Sequence, residues 1–418
     1  MTQTENKNVP KLRFPEFEEE WKQEALSQHI RSLDAGVSVN SEDRPAIGSE
    51  LGILKTSAVT GGKFDRKENK TVDQLEEVSR LKEPVEDDTI IISRMNTPVL
   101  VGENAYVEAS DSNLFLPDRL WAAKGKVQSS MRFLSYILGS GRTRQRISDL
   151  GTGTSGSMKN IAKKDVLALE IFAPTLAEQR KIAGFLGAVD TKLAQLAEKK
   201  RLLEDYKKGC MQQLFSRNIR FKDEDGNDFP DWEEKRLGEI ATFSKGKGIS
   251  KADVFEDGEN PCIRYGELYT EYSEYIDRIV SRTDTPLEGA NCSKKNDVLM
   301  PTSDVTPSGL ATASALDIEG VILGGDILII RSPELLNRFF AYFVAANRPM
   351  IMSLVTGVTV YHIYGSDLAS LHMKVPHPDE QRKIADFLSA LDRKIELVAE
   401  EHRQAQTFKK GLLQQMFV

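Results

Sequence analysis

Cysteine is scarce in this chain: three in 418 residues, Cys210, Cys262 and Cys292, too far apart for a disulfide framework or a CxxC metal pair. Five histidines make no HExxH and no ligand pair at metal spacing. No apolar run approaches the ~18–20 residues of a membrane span. The opening MTQTENKNVPKLRF has no apolar signal region, so the expected compartment is the cytoplasm, with no membrane partner. Positive charge is short as well, with a formal net charge of −7. Hydrophobic content of 40% and charged content of 28% are those of an ordinary globular protein.

Catalytic signatures are equally thin. There is no GxxxxGK[ST] loop, which excludes an ATP-driven motor of that kind. The string Gly151-x-Gly153-x-x-Gly156 follows RQRISDL rather than a buried strand and reads as a loop, not a dinucleotide turn. The nearest approaches to an adenine-methyltransferase loop, Asn96-Thr97-Pro98 and Asn347-Arg348-Pro349, do not fit. Pro230 to Lys235 crams a nuclease-like set of acids and a lysine into one short stretch, where such enzymes separate them. No catalysis and no cofactor are expected of the isolated chain.

What is present is a direct repeat. Pro174–Phe215 and Pro376–Phe417 align without a gap, and about half their positions are identical. Both carry EQRKIA, then FL, then KKG-x-x-QQ-x-F. Weaker matches lie upstream. Phe14-Pro15-Glu16 resembles Phe229-Pro230-Asp231, Trp21–Leu26 resembles Trp232–Leu237, and Ile53-Leu54-Lys55 falls at the register of Cys262-Ile263-Arg264. Asp88-Thr89-Ile90-Ile91 matches Asp297-Val298-Leu299-Met300. Between these landmarks the two halves diverge.

The similar segments read as helices. Apolar residues recur in alternating four–three steps at Ile182, Leu186, Val189, Leu193, Leu196, Leu203, Cys210 and Leu214. In the second copy they recur at Ile384, Leu388, Leu391, Ile395, Val398, Ala405, Leu412 and Met416. That is a coiled-coil seam. Both copies interrupt it at matching places, Lys200 and His402, then Lys207 and Lys409. A polar seam residue can fix register, and lysines snorkelling past the interface would leave the same pattern. Each helix of roughly 40 residues spans ~60 Å, too long for the core of one compact domain. Gly209 and Gly411 stand at matching positions; glycine costs a helix about 1 kcal/mol relative to alanine, which points to close approach by another backbone.

The variable segments alternate strand-like and helix-like runs, each long enough for a domain. The expected fold is α+β: two mixed α/β domains and two long antiparallel coiled-coil helices, related by a pseudo-two-fold internal repeat. The boundaries are 1–173 for the first domain, 174–216 for the first helix, 217–375 for the second domain with a linker at 217–229, and 376–418 for the second helix. Charge divides unevenly: 176–220 holds 10 Lys and Arg against 5 acids, and 221–375 holds 15 against 25. The chain alone is therefore expected to grip DNA weakly, a partner supplying positive field.

With EQRKIA twice, KKG-x-x-QQ-x-F twice and a variable domain before each, the chain resembles the specificity subunit of Type I restriction–modification systems, over nearly its whole length. The resemblance implies a non-catalytic subunit whose two target-recognition domains each read half of a bipartite double-stranded DNA target. It also implies two docked methyltransferase subunits, and restriction subunits that add ATP-driven translocation and cleavage. The helix pair is then expected to set the unread spacer and carry the partner interface, through the seam residues and Gly209 and Gly411. The other class of protein that fits long helices and an acidic chain is a coiled-coil scaffold without DNA readout; it leaves two large variable domains unexplained.

Candidate DNA contacts follow from the register of the repeat. Lys55 and Arg264 come after a matched strand, where a basic side chain can bind phosphate or a guanine edge. Arg94 and Ser303 come after the next. The loop Thr152–Lys159, with Thr154, Ser155, Ser157 and Lys159, corresponds to Thr356–Tyr361, with Thr359 and Tyr361. Tyr361 also suits a core aromatic.

Overall fold

A computed structural model describes residues 8–153 and 157–418. It divides into two compact units, one of residues up to Gln195 together with His402–Val418, the other of Leu196–Glu401.

In the first unit the strands are β1 (Lys22–Ala25), β2 (Ile30–Ala35), β3 (Leu51–Leu54), β4 (Asn69–Val72), β5 (Pro84–Val85), β6 (Thr89–Ser93), β7 (Met95–Asn96), β8 (Asn104–Val107), β9 (Asp111–Phe115), β10 (Leu120–Gly125), β11 (Lys159–Asn160) and β12 (Glu170–Ala173). They form sheets in the orders β2-β10-β6-β8 and β4-β3-β9-β5, with β1-β12 and β7-β11 as two-stranded pairs. The run Thr89–Ser93 is wholly buried because its side chains feed two cores with period two. Ile90 and Ile92 point to a helix-covered core, whereas Ile91 points to the core shared with the second sheet. Helix α1 (Met131–Gly139) covers the first core with Met131, Phe133, Leu134, Ile137 and Leu138, its start capped by Ser130. Helix α2 (Gly141–Asp149) follows at once.

The second unit repeats this plan. After the long helix α3 (Leu176–Phe215) come β13 (Glu233–Arg236), β14 (Thr242–Lys245), β15 (Val254–Phe255), β16 (Asn260–Ile263), β17 (Tyr275–Ile276), β18 (Ser281–Thr283), β19 (Asp297–Pro301), β20 (Ser303–Asp304), β21 (Ser314–Leu316), β22 (Ile322–Leu323), β23 (Ile327–Arg331), helices α4 (Asn337–Ala346) and α5 (Arg348–Met352), β24 (Thr356–Gly357), β25 (Tyr361–His362), β26 (His372–Val375) and the long helix α6 (Pro378–Gln415). The sheet orders are β14-β23-β19-β21-β17 and β15-β18-β16-β22, with β20-β25-β24 and β13-β26 as smaller sheets. β19 divides its side chains as β6 does, Val298 and Met300 to one core and Leu299 to the other.

Both long helices are shared. α3 gives Leu176–Gln195 to the first unit and Leu196–Phe215 to the second; α6 gives Pro378–Glu401 to the second and His402–Gln415 to the first. Within the first unit Asp190 meets Lys409, while Ile182, Ala183 and Leu186, nearer the start of α3, share a core with Leu412 and Met416, nearer the end of α6. The segments therefore run antiparallel. The second unit does the same, with Lys207 on Asp392 and Met211 and Leu214 among Ile384, Ala385 and Leu388.

The last turns of α6 are thus core of the first unit. Phe417 sits 5.7 Å from Phe133 and 6.3 Å from Trp21 by ring centroids, and Leu12 donates its amide to the Gln415 carbonyl at 2.9 Å. A chain cut after Glu401 loses Leu412, Met416 and Phe417, each worth about 1.5–3 kcal/mol on burial. Hydrogen exchange on that truncation will show lost protection in Trp21–Ala35 and Met131–Asp149 and native protection in β19 and β23. Equal loss in both units would mean that they do not open separately.

Candidate nucleic-acid interface and its supports

Each domain is fastened to the long helix that follows it by the same set of contacts. In the first unit the Glu178 carboxylate is 1% exposed and accepts from Arg13 Nε and Nη2, both at 2.8 Å, and from Trp21 Nε1 at 3.3 Å. In the second, the fully buried Glu380 accepts from Arg220 Nε at 3.1 Å and Nη2 at 2.8 Å, and from Trp232 Nε1 at 3.0 Å. The Glu178 and Glu380 partners hold both arginines above their ordinary pKa, against burial. The next residue acts on the domain helix. Gln179 accepts from the Ser130 amide at 3.0 Å and donates to the Pro174 carbonyl at 2.9 Å; Gln381 accepts from the Leu336 amide at 2.8 Å and donates to the Pro376 carbonyl at 3.1 Å. These bonds account for the Glu-Gln pair of both repeats. β1 paired with β12, and β13 paired with β26, close the neck of each domain.

At the far end of the central strand, both domains turn into a small sheet. β7 pairs with β11, whose Asn160 also bridges Thr152; β20 pairs with β25, which hairpins from β24. The structure shifts the register of the repeat by one residue here. Asp88 and Asn296, both at positive φ (48° and 67°), enter the equivalent strands, so Asp88 matches Asn296 and not Asp297. Arg94 accordingly matches Thr302, not Ser303. The amide of each is bound by a returning strand, to Arg119 O and Asp326 O, and the carbonyl of each accepts from Ile161 or Ile363.

Arg94, half-buried, lies with its guanidinium 5.8 Å from the Trp121 ring centroid, and its Nε is buried without a hydrogen-bond partner among the described residues. Lys159 donates to the Gly151 carbonyl at 3.2 Å. Thr154 and Ser155 lie outside the described residues; Ser157 is an exposed turn residue. Ser303 pairs with His362 in the ladder. Thr359 is exposed at the hairpin tip, and Tyr361 is half-buried against the core of its unit. Lys55 and Arg264 lie apart from these loops, after β3 and β16 of the second sheets. Both are already paired: Lys55 is 3.6 Å from Asp43, which also meets Lys70 at 3.2 Å, and Arg264 is 2.8 Å from the buried Glu267. The Lys70 ammonium, helped by Lys55, holds Asp43 below its usual carboxylate pKa. The structure thus places Lys159 opposite Asn96 and Arg94 against Ile161 at one small sheet, Ser303 opposite His362 and Tyr361 opposite Asp304 in the other, and leaves Lys55 and Arg264 elsewhere.

Sequence reasoning missed the better-exposed groups near the loops. No Asp or Glu stands between Asp149 and Asp165, nor between Glu334 and Asp367, although the surrounding chain is rich in both. Those acid-free stretches were the available signal. In the first unit the stretch carries the exposed Lys163 and Lys164. In the second its tip is apolar: Val358 is 88% exposed and Val360 is 43% exposed. Tyr364 stacks on His362 at 5.8 Å, with Lys245 5.6 Å from the Tyr364 ring. The two acid-free stretches thus carry unlike chemistry, lysines in the first unit and apolar and aromatic side chains in the second.

The seam residues distribute as core. Ile182, Leu186, Leu193, Leu196, Ile384, Leu388, Leu391 and Val398 are buried, and Val189, Leu203 and Ile395 are half-buried. A Cβ on Gly209 or Gly411 would meet nothing within 4 Å among the described residues, so no close approach within the chain explains either glycine. Three residues before each stands an exposed aromatic, Tyr206 and Phe408, both 56% exposed. Among the described residues no group of His, Cys, Asp or Glu is arranged to hold a metal ion, and no helix is long and apolar enough to cross a membrane.

A family model described as the Type I restriction modification DNA specificity domain matches residues 230–406. The putative type I restriction enzyme MjaX specificity subunit of Methanocaldococcus jannaschii is 23% identical, over 97% of this chain and 95% of that protein. The type I restriction enzyme MjaVIII specificity subunit of the same organism is 24% identical, over 69% of this chain and 70% of that protein. Among solved structures, the S subunit of a Type I restriction–modification system from M. genitalium superposes with a TM-score of 0.62 at 18% identity, covering 98% of this chain and 99% of the other. A chain from a structure of complex assembly and conformational transition in the type I R-M system gives 0.50 at 16% identity, covering 94% and 96%. At such identities the structural likeness speaks to the fold.

Proposed function

This chain belongs to the specificity-subunit family of Type I restriction–modification systems, and from that premise we propose that each of its two units reads one half of a bipartite, asymmetric DNA target. One observation carries the asymmetry: the two units share their neck bonds and core plan, yet the acid-free stretch brings lysines, Lys159, Lys163 and Lys164, in one and an apolar, aromatic tip in the other. Shared supports with unlike tips suit unlike half-sites. In this reading the chain does no chemistry itself. Methyl transfer belongs to two methyltransferase subunits, and translocation and cleavage to restriction subunits, in the cytoplasm. The exposed Tyr206 and Phe408, each three residues from an uncrowded glycine on a long helix, are the surfaces we assign to the methyltransferases, one per copy. A scaffold without DNA readout does not account for a DNA specificity domain match over residues 230–406.

The direct test is co-purification with a methyltransferase, followed by mapping of methylated bases in a host expressing the complex. A bipartite motif with unlike halves is expected; a palindromic or single-part motif would count against the reading.

The tips make a sharper prediction. A side chain that neutralises a phosphate contributes about 0.9 to the slope of log affinity against log salt. Lys164→Ala should lower that slope by about that amount for the complex, without altering the motif. Val358→Ala and Val360→Ala should leave the slope alone and relax one base position, since the apolar group on a major-groove edge is the thymine methyl. Titrations in several salt concentrations separate the two; a slope change from the valines would show that the tip does not meet a base edge.

A further inference from the structure

Two clusters of three side chains repeat across the units. In the first, the Tyr136 hydroxyl donates to Asp190 Oδ2 at 2.7 Å, Lys409 Nζ lies 2.6 Å from Asp190 Oδ1, and the same ammonium is 5.5 Å from the Tyr136 ring centroid. In the second, the Tyr342 hydroxyl donates to Asp392 Oδ2 at 2.5 Å, Lys207 Nζ lies 2.6 Å from Asp392 Oδ1, and it is 5.2 Å from the Tyr342 ring. Each cluster joins three elements: a domain helix (α1 or α4), the long helix that follows the domain, and the end of the other long helix. Lys207 also reaches Glu274 at 3.1 Å. Burial pushes Lys207 down, yet Glu274 and Asp392 hold its pKa above the ordinary lysine value. Burial, and then the aspartates, push both tyrosines up, so their hydroxyls stay protonated donors.

Stability alone is a poor reason for charge here. Apolar residues of similar volume are often as good as a buried ion pair, or better. Register is a better reason. Asp190 and Lys207 are seventeen residues apart on one helix, and Asp392 and Lys409 are seventeen apart on the other. The two pairs are therefore satisfied in one common register. Slipping either lysine by one heptad along its partner puts it opposite Ala183 or Ala197, or opposite Ala385 or Ala399. Alanine offers neither an acceptor nor a counter-charge, so each slipped lysine loses both its aspartate and its tyrosine ring.

We propose that the Tyr136–Asp190–Lys409 and Tyr342–Asp392–Lys207 clusters are register locks, positioning residues that fix each domain to both long helices and thereby restrict the complex to one spacer length. This rests on the reading of the chain as a two-part DNA reader. Lys207 and Lys409 touch no base; they act through the attitude of the domain that does.

The test uses the full chain complexed with its methyltransferases and a panel of duplexes whose spacer is shortened or lengthened by one or two base pairs. The parent complex methylates one spacer. Lys207→Met and Lys409→Met lower its preference over the neighbouring spacers roughly tenfold, within the range for coupled contacts. The conservative variants Lys207→Arg and Lys409→Arg, which keep the charge beside the aspartate and the tyrosine ring, retain it. Leu368→Ala, which loosens the core of the second unit outside the seam and the clusters, keeps the parent preference. If either methionine variant assembles and keeps the full preference, or if Leu368→Ala loses as much, the lock is overturned. Should Lys207→Met fail to assemble, Tyr342→Phe removes one hydroxyl and is judged by the same criterion. A parent complex that methylates every spacer equally would fault the two-part reading itself.

Discussion

Replacing Leu237–Leu371 with the matching stretch of another specificity subunit will change one half of the methylated motif and leave the other half intact. The junction is dictated by the neck. Leu237 donates its amide to the Leu371 carbonyl at 2.8 Å, so cutting there leaves β13, β26, Trp232, Glu380 and Gln381 in the recipient. The incoming domain must bring a tyrosine where Tyr342 stands and an aromatic where Phe339 packs on Phe215 and Trp232. The first unit shows that an unlike domain can meet both demands, with Tyr136 and Phe133. Each mismatched base pair costs about 1–3 kcal/mol, so three altered positions remove two orders of magnitude or more in affinity for the old half-site. Methylome sequencing of the chimera gives the answer, and a change in both halves would show that readout is shared.

Removing Glu380 should be the most damaging single substitution in the second unit. Its carboxylate, fully buried, holds Arg220 by two bonds and Trp232 by a third. Glu380→Ala leaves the Trp232 indole N–H unpaired and takes the buried carboxylate from the half-buried Arg220, which keeps only the Phe229 and Pro230 carbonyls and the exposed Asp231, a loss of about 3–5 kcal/mol. For a unit of roughly two hundred residues, each kcal/mol lowers the melting point by about 2–4 °C, hence a drop on the order of 6–20 °C. Glu380→Gln keeps an acceptor for Trp232 and should fall between parent and Ala. Glu178→Ala should do to the first unit what Glu380→Ala does to the second. Calorimetry with hydrogen exchange assigns each loss to its unit; a loss under 1 kcal/mol would mean that water or a neighbour replaces the carboxylate.

The long helices were legible because half of 42 aligned positions repeat and the seam keeps coiled-coil spacing. What covers each seam was not. Periodicity marks the buried face but not its occupant, and the Met416 and Leu412 face belongs to the core around Trp21 and Phe133. Lys207 and Lys409 stood out as polar seam residues, and both readings, register pin and snorkel, were open. Their acceptors escaped notice because Asp190 and Asp392 each sit one residue past a seam position. In the domains, matching Asp88 to Asp297 by identity placed Arg94 one residue out of register, since the backbone matches positive φ at Asp88 with positive φ at Asn296. Lys55 and Arg264 were chosen for charge and position; carboxylates from Asp43 and Glu267, contributed through folding, were invisible in a linear scan.

The sharing of helices has a consequence for synthesis. The first domain leaves the ribosome some two hundred residues before His402–Val418, the segment that completes its core. At ~5–20 residues per second that is a wait on the order of 10–40 s. For that interval the surface around Trp21, Phe133 and Leu186 waits for Leu412, Met416 and Phe417, an apolar strip exposed on a nascent chain. The second unit waits for nothing comparable, because Leu196–Phe215 is made before its domain. The order of translation therefore makes the first domain the one that a chaperone, or the α6 segment of another nascent copy, meets unfinished.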